Sequence, residues 1–464
     1  MAVSEGPAVP LFASGDRVAI LGLGASGTAA ARLVHRLGGD VYASDASGGA
    51  DQREAVERLA AEGIAAEAGG HDIERILASQ LVVTSPGIDP ASDVRRAAED
   101  AGLRTVAEVE LAFRHLRSRV IAITGTNGKT TATAMCGHVM ADAGLSSITA
   151  GNIGRPLSEV ALLEEQPDWV VVELSSFQLA DLRSFAPTIG MLLNLAPDHL
   201  DRYGDVDRYY ADKARLFSNA TDASHWILNG DDPAAIGLAR GVDGHRHVVR
   251  QAPHGDDGAY VDEEGWLTRR LGGQVQRWLH TDDLQLFGRH NWSNALFAGL
   301  GAALAGVSAD AIGRGLATFQ GLPHRLKAVG EFGDVLWVND SKGTNISATK
   351  VALEAFDRPL VLLLGGRHKG EPYTSLLPAV AEVRAVVAYG ESAPLVVRDL
   401  GDRVVLEVAN GFKEAIRRAR ALARAGDVVL LSPACSSYDM FPSYTARGDV
   451  FEEYVKTLYA EKLK

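Results

Sequence analysis

Gly125-Thr126-Asn127-Gly128-Lys129-Thr130-Thr131 sits between an apolar run, Val120-Ile121-Ala122-Ile123, and a helix-like run from Ala132 to Ala143. A glycine turn that joins a strand to a helix presents backbone N–H groups, and the helix N-terminus adds its positive end. Polyphosphate is the ligand such a turn suits. Lys129 can reach the outer phosphates, and the Thr130 hydroxyl stands where a magnesium ligand is expected. An ordinary glycine turn is the alternative, but the full pattern in its strand–helix setting favours a nucleotide triphosphate.

Similar strand-to-turn alternations flank this loop on both sides. Upstream, Arg17-Val18-Ala19-Ile20-Leu21 runs into Gly22-Leu23-Gly24-Ala25-Ser26-Gly27 and a helix to about Leu37; a second strand, Asp40–Ser44, ends at Asp45. Together these mimic a dinucleotide fingerprint. Another strand, Leu81–Thr84, leads to the turn Ser85-Pro86-Gly87. After the loop, Asp168–Val172 terminates in Glu173, and Ile189–Leu193 leads to Asp198 and His199. A helix from about Val206 to Asn219 carries Lys213, and the stretch from about Ala220 to Leu284 reads as irregular. Beyond Gly321-Leu322-Pro323-His324-Arg325, strands at Val335–Val338, Leu360–Leu364, Arg384–Tyr389, Val404–Val408 and Asp427–Leu431 form a third unit, closed by an amphipathic C-terminal helix. Strands alternating with helices predict an α/β chain of parallel sheets.

Composition narrows the class. A chain of 464 residues allows about three domains. It is 46% hydrophobic and 23% charged, which is ordinary for globular proteins, and no apolar run approaches the length of a membrane span. With only Cys136 and Cys435, no disulfide framework is expected; with no secretory pattern at Met1–Ser14, a cytoplasmic protein is. A net charge of −13 speaks against nucleic acid and anionic membranes, so any anionic ligand must meet a local cluster of cations.

In open α/β sheets ligands lie outside the carboxyl ends of strands, so Glu173 and His199 are expected to face the crevice of the phosphate loop. Glu173 can hold magnesium together with Thr130. His199 has only its position in its favour, and Lys213 by itself reads as a helix-surface lysine. The first glycine turn alone would suit a nicotinamide enzyme. With the stronger loop downstream, it better serves a second phosphate-bearing molecule such as a sugar nucleotide, with Asp45 toward ribose or base and Ser26 toward the diphosphate. Three polar clusters, Asn339–Asn345, Gly365–Gly370 and Ser432–Ser437, follow strands of the third unit and read as the rim of a ligand site. Cys435 reads as packing rather than as a nucleophile. A nucleotide switch would need a guanine-selecting Asn-Lys-x-Asp element, which the chain lacks.

The motifs GTNGKTT (125–131), GNIGRP (151–156), ELSSFQL (173–179), NLAPDHLDRY (194–203), HNWSN (290–294), GLPHR (321–325), NDSKGTN (339–345) and LSPACSSYDMF (432–441) carry a resemblance. The chain resembles the ATP-dependent amide-forming ligases of peptidoglycan synthesis, the Mur ligase family, and within it the branch that adds D-glutamate. No Asp-Asn-Pro-Arg motif of the diamino-acid branch is present. The resemblance implies three domains: an N-terminal Rossmann-like domain over 1–117 for a uridine nucleotide, a central P-loop ATPase-like parallel sheet over 118–321, and a C-terminal Rossmann-like domain over 322–464. It implies a monomer acting on UDP-N-acetylmuramoyl-L-alanine and D-glutamate, with ATP and two Mg2+ ions.

By the same resemblance Gly125, Thr126, Asn127, Gly128, Lys129, Thr130 and Thr131 bind ATP phosphates, with Asn291, Asn294, Arg325 and Asp340 completing that site. Thr130, Glu173, His199 and Lys213, if carbamylated, serve the metals. Ser26, Asp45, Ser85, Asn152, Ser175 and Gln178 face the uridine nucleotide. Lys342, Thr344, Lys369, Ser437 and Tyr444 take the incoming glutamate, and Lys129, Glu173, His199, Lys213, Lys342 and Lys369 form the catalytic set. Tyr444 stands where the family often has phenylalanine, His368 where an acid or glycine is commoner, and Ala46-Ser47 replace a polar-plus-basic pair.

Overall fold

The computed structural model describes residues 10–198, 203–380 and 383–460. The chain divides into two compact units, Met1–Thr281 with Ser293–Ala317, and Asp282–Trp292 with Thr318–Lys464. The first unit holds two sheets and the second one sheet.

The first sheet is built from β1 (Arg17–Leu21), β2 (Asp40–Asp45), β3 (Ala65–Ala68), β4 (Leu81–Thr84) and β5 (Arg104–Ala107), ordered β3-β2-β1-β4-β5 and parallel throughout. Apart from Arg17 at the start of β1, its central strands β1 and β4 are buried along their length, as parallel sheets covered by helices require. The order reverses beside β1, which places the crevice over the glycine turn at Gly22–Gly27.

Nine strands make the second sheet: β6 (Arg119–Thr124), β7 (Ser147–Gly151), β8 (Trp169–Glu173), β9 (Ile189–Leu192), β10 (His225–Asn229), β11 (His245–Arg250), β12 (Gly258–Val261), β13 (Trp266–Leu271) and β14 (Gln274–His280). Their order is β14-β13-β12-β11-β10-β9-β6-β8-β7. Pairing is parallel from β7 to β12, and the last two strands are antiparallel. The stretch 220–284, read from sequence as irregular, is therefore an ordered extension of the sheet. Its strands are short and mixed in burial, so they lack the apolar runs that mark the rest.

Within this unit the two sheets are fastened by buried charge. The Arg95 guanidinium meets Asp181 at 2.6 Å. Glu110 accepts from the Arg183 and Ser184 N–H groups, and Glu108 accepts from the Ser158 N–H at 2.6 Å.

The second unit carries β15 (Lys327–Phe332), β16 (Val335–Asn339), β17 (Leu360–Gly365), β18 (Ala385–Tyr389), β19 (Leu406–Val408) and β20 (Val428–Leu431), in the order β15-β16-β20-β17-β18-β19. Only β15 is antiparallel. The helix Tyr444–Ala460 packs Phe451, Val455 and Leu458 onto this sheet, as their spacing predicts. Among the described residues no helix is long and apolar enough to cross a membrane.

Candidate functional site

The phosphate-type loop leaves the end of β6 and caps the helix Lys129–Asp142. Gly128 is the N-cap at φ +81°, and a Cβ there would come within 2.5 Å of Asn294 Oδ1; glycine is required on both counts. The loop is held from the neighbouring strand. Thr126 N–H donates to the Asn194 carbonyl at 2.9 Å, and Asn127 N–H donates to Asn194 Oδ1 at 2.8 Å. Thr126 Oγ1 lies 3.2 Å from the Tyr209 hydroxyl. Lys129 folds over the loop, its Nζ donating to the carbonyls of Gly125 and Thr126 at 2.9 and 2.8 Å. Thr130 and Thr131 occupy the first turn of the helix.

Lys213 is not the surface residue that its helix suggested. It is 1% exposed, and its Nζ donates to the Gly125 carbonyl at 2.8 Å, beneath the phosphate loop. The helix Val206–Ala214 is amphipathic, and Lys213 lies on its buried face with Tyr209. Burial, reinforced by the charge on Lys129, pushes the amine down to about 7 against the pull of Asp198, Asp212 and Glu173.

Glu173 ends β8 at 1% exposure. Its Oε1 accepts from Asn152 Nδ2 at 2.9 Å, while Oε2 is buried without a hydrogen-bond partner. A buried carboxylate oxygen with no donor is a costly arrangement. A divalent cation would satisfy it, so the donor set fits a magnesium ion. Asn152, placed by sequence toward the uridine nucleotide, here orients Glu173. Among the described residues no three His, Cys, Asp or Glu side chains gather into a metal cage. His199 lies outside the described residues.

A pocket between the first two sheets is lined by Thr84, Ser85, Arg95, Phe177, Gln178 and Asp181. Two expected nucleotide-side residues meet in it. Ser175 and Gln178 form a reciprocal cap on the helix Ser176–Ala180, which uses Gln178 Oε1 and leaves its buried Nε2 unpartnered. Ser85 Oγ is likewise buried and unpartnered, set against the glycine turn. Ser26 stands in the first turn of the helix Ala25–Arg36. Asp45 accepts from Leu23 N–H and Ser47 N–H, each at 2.8 Å, so its carboxylate braces the glycine turn itself.

In the second unit, the polar clusters after β16, β17 and β20 converge. Asp340 is buried, accepting from Ser432 Oγ at 2.7 Å and Leu326 N–H at 3.3 Å. Burial pushes its carboxyl up to about 7, against those hydrogen bonds and the cations of Arg325 and Arg447. Lys342 Nζ reaches the Tyr444 hydroxyl at 3.4 Å, and Lys369 Nζ reaches Thr344 Oγ1 at 3.2 Å. Tyr444, although partly buried, has its hydroxyl pKa lowered by Lys342. Ser437 is buried on the adjoining loop. Cys435 packs in the core with its Sγ 2.6 Å from the Tyr373 hydroxyl, and burial raises its thiol pKa, so it has no nucleophile's setting. Asn291 donates to the Phe287 carbonyl at 2.7 Å.

Sequence comparison matches three family models along the chain. These are a Mur ligase MurD-like N-terminal domain over 16–107, a Mur ligase middle domain over 123–302, and a Mur ligase glutamate ligase domain over 324–435. The UDP-N-acetylmuramoylalanine–D-glutamate ligase of Salinibacter ruber is 41% identical over 95% of this chain and 98% of its own. The chain belongs to the Mur ligase family. The enzyme of the same name from Anaeromyxobacter dehalogenans is 42% identical over 94% of this chain and 96% of its own. The fold agrees with solved Mur ligases. A UDP-N-acetylmuramate–alanine ligase from Thermotoga maritima superposes with a TM-score of 0.59 at 18% identity, covering 96% of this chain and all of that one. A pseudomurein peptide ligase from Methanothermus fervidus gives 0.60 at 18% identity with the same coverage. Two features of this Mur ligase escaped its sequence: Asn194, which brackets the phosphate loop, and Arg447, fully buried between Ser341 and the Cys435 carbonyl. Asn194 opens a quoted motif and could have been found; Arg447 carries no local signal.

Proposed function

We propose that this chain is an ATP-dependent ligase of peptidoglycan precursor synthesis, joining D-glutamate to UDP-N-acetylmuramoyl-L-alanine. The observation that carries the reading is the coincidence, under one phosphate loop, of a buried carboxylate oxygen without a partner and a buried lysine held near neutrality. A carboxylate is a poor electrophile, so its oxygen must first become a leaving group. The γ-phosphoryl of ATP is transferred to the alanyl carboxylate, giving an acyl phosphate. ADP is the other product of that transfer; the neutral glutamate amine then attacks the carbonyl carbon and gives up a proton, and the tetrahedral adduct expels inorganic phosphate to leave the amide.

The chain's residues divide these tasks. The loop N–H groups from Gly125 to Thr131 and the Lys129 amine offset the charge of the phosphates. Thr130, Glu173 and a carbamylated Lys213, with His199, would hold two magnesium ions, which when bound screen the repulsion between triphosphate and carboxylate. Ser85 Oγ and Gln178 Nε2 offer free hydrogen-bonding groups to the sugar nucleotide, with Ser26 and Asp45 around the glycine turn and Asn152 and Ser175 beside them. Asn291, Asn294, Arg325 and Asp340 are assigned to ATP. Lys342, Thr344, Lys369, Ser437 and Tyr444 take the glutamate. Division at 117 and 321 into uridine-nucleotide, ATP and amino-acid domains, a monomeric state and a cytoplasmic location belong to the same reading.

The test is phosphate release with product identification. Phosphate and amide should appear together only when ATP, UDP-N-acetylmuramoyl-L-alanine and D-glutamate are all present. L-glutamate should not substitute. Nucleotide hydrolysis independent of both acceptor and amino acid would overturn the proposal.

A further inference from the structure

Two non-glycine residues just before β15, the first strand of the second unit, have left-handed backbones, His324 at φ +61° and Leu326 at φ +45°. For a branched residue this is a marked outlier, and such conformations persist only where the surroundings over-determine them. Arg325 lies between the two. What holds the segment is visible. The His324 ring is 5% exposed, and its Nδ1 lies 2.9 Å from Asn339 Nδ2. Asn339 Oδ1 accepts from Ser341 N–H at 3.0 Å, which fixes the amide's orientation, so Nδ2 donates and the imidazole accepts at Nδ1. The other ring nitrogen, Nε2, lies 3.5 Å from Asp449. On the helix Tyr444–Ala460, Gly448 leaves room for the ring: a Cβ there would lie 2.2 Å from His324 Nδ1 and 2.9 Å from its Cγ.

The backbone of this segment in turn holds polar groups. The His324 carbonyl accepts from Lys342 N–H at 3.0 Å, and Leu326 N–H donates to Asp340 Oδ1. We infer that His324, seated in the notch at Gly448, is a positioning residue that fixes Arg325, Asp340 and Lys342 in one arrangement. The C-terminal helix is thereby a template for the site rather than only a packing element. This inference rests on the proposed function, which gives Arg325 and Asp340 to ATP and Lys342 to the glutamate.

Neither Gly448 nor His324 is assigned to substrate, so their variants report on positioning. The experiment uses the full chain with four variants: Gly448→Ala, His324→Gly, His324→Ala and the double variant Gly448→Ala/His324→Gly. Steady-state kinetics and equilibrium binding of a fluorescent ATP analogue are measured beside thermal midpoints. Gly448→Ala must displace an anchored ring, and a shift of about 1 Å at such a site can cost about 10²-fold. That loss is expected in kcat/KM for ATP, with KM for the sugar nucleotide unchanged. His324→Gly tolerates the positive φ and should retain more activity than His324→Ala. In the double variant the added methyl has no ring to meet, so its activity should match that of His324→Gly alone. Additive losses, or a Gly448→Ala chain with wild-type kinetics, overturn the inference. ATP-analogue affinity reads the same pattern in a chain that forms no amide, so failure of the proposed function is distinguished from failure of this one.

Discussion

Replacing Lys213 by alanine tests the most specific chemistry in the site. An amine of ordinary pKa is neutral in about one molecule in 3,000 at pH 7. With its pKa lowered to about 7, Lys213 is neutral in about half. Only the neutral amine adds to carbon dioxide, giving a carbamate and releasing a proton. The buried position therefore raises the reactive population about 10³-fold. The sign follows directly: below pH 7 the protonated amine dominates and the carbamate-supported activity should fall about tenfold per pH unit, while above 7 it should level off. Lys213→Ala should lower kcat by about 10²-fold or more, with the fold intact, because the loop retains its anchors from Asn194 and Lys129. The truncation leaves space under Gly125 for a small acid, so acetate or propionate should restore part of the rate in a saturable way. The assay is phosphate release at fixed magnesium across a carboxylate titration. Activity within about threefold of wild type, or no response to any short carboxylate, refutes the argument.

Glu173→Gln keeps the shape and the contact with Asn152 but removes the charge at the unpartnered oxygen; turnover should fall by about 10³-fold and the magnesium dependence should shift to higher concentration, with circular dichroism unchanged. Glu108 is buried with one oxygen unpartnered, and burial raises its pKa to about 7. The folded state then binds its proton more tightly than the unfolded chain, so stability is fully present below about pH 4.5 and is lost as pH rises through 7. Glu108→Gln should stabilise the chain at pH 8 by up to about 3 kcal/mol and do nothing at pH 4.5, as measured by denaturant midpoints at both values. Equal gains at the two pH values would assign the effect to packing instead.

Much of this architecture is written locally. The strands Arg17–Leu21 and Leu81–Thr84 and the phosphate loop are legible because continuous apolar runs and glycine turns declare themselves within a few residues. Edge strands such as Ala65–Ala68 and Arg104–Ala107 are short and partly exposed, so nothing in their composition separates them from loops. The antiparallel strands Trp266–Leu271 and Gln274–His280 are interrupted by arginines, Arg269 and Arg270 falling on opposite faces, and are read only when their partners are known. For the candidate site, Glu173 and Gln178 were visible as members of motifs; what occupies Gln178 is a local helix cap, whereas what occupies Glu173 is tertiary. Their free atoms follow from what Asn152 and Ser175 already occupy. Lys213 shows the limit most plainly, since helix spacing alone does not reveal that an ammonium will be placed under a phosphate loop.

The buried clasp of Arg95 with Asp181, together with Glu108 and Glu110, has a practical corollary for inhibitor chemistry. Ser85, Gln178 and the loop at Gly125 belong to one compact unit, so the separation between fragments bound at the two places is set when the chain folds. A rigid tether cut to that separation would lose little entropy on seating its second half, and the gain over either fragment would approach the full effective-concentration advantage.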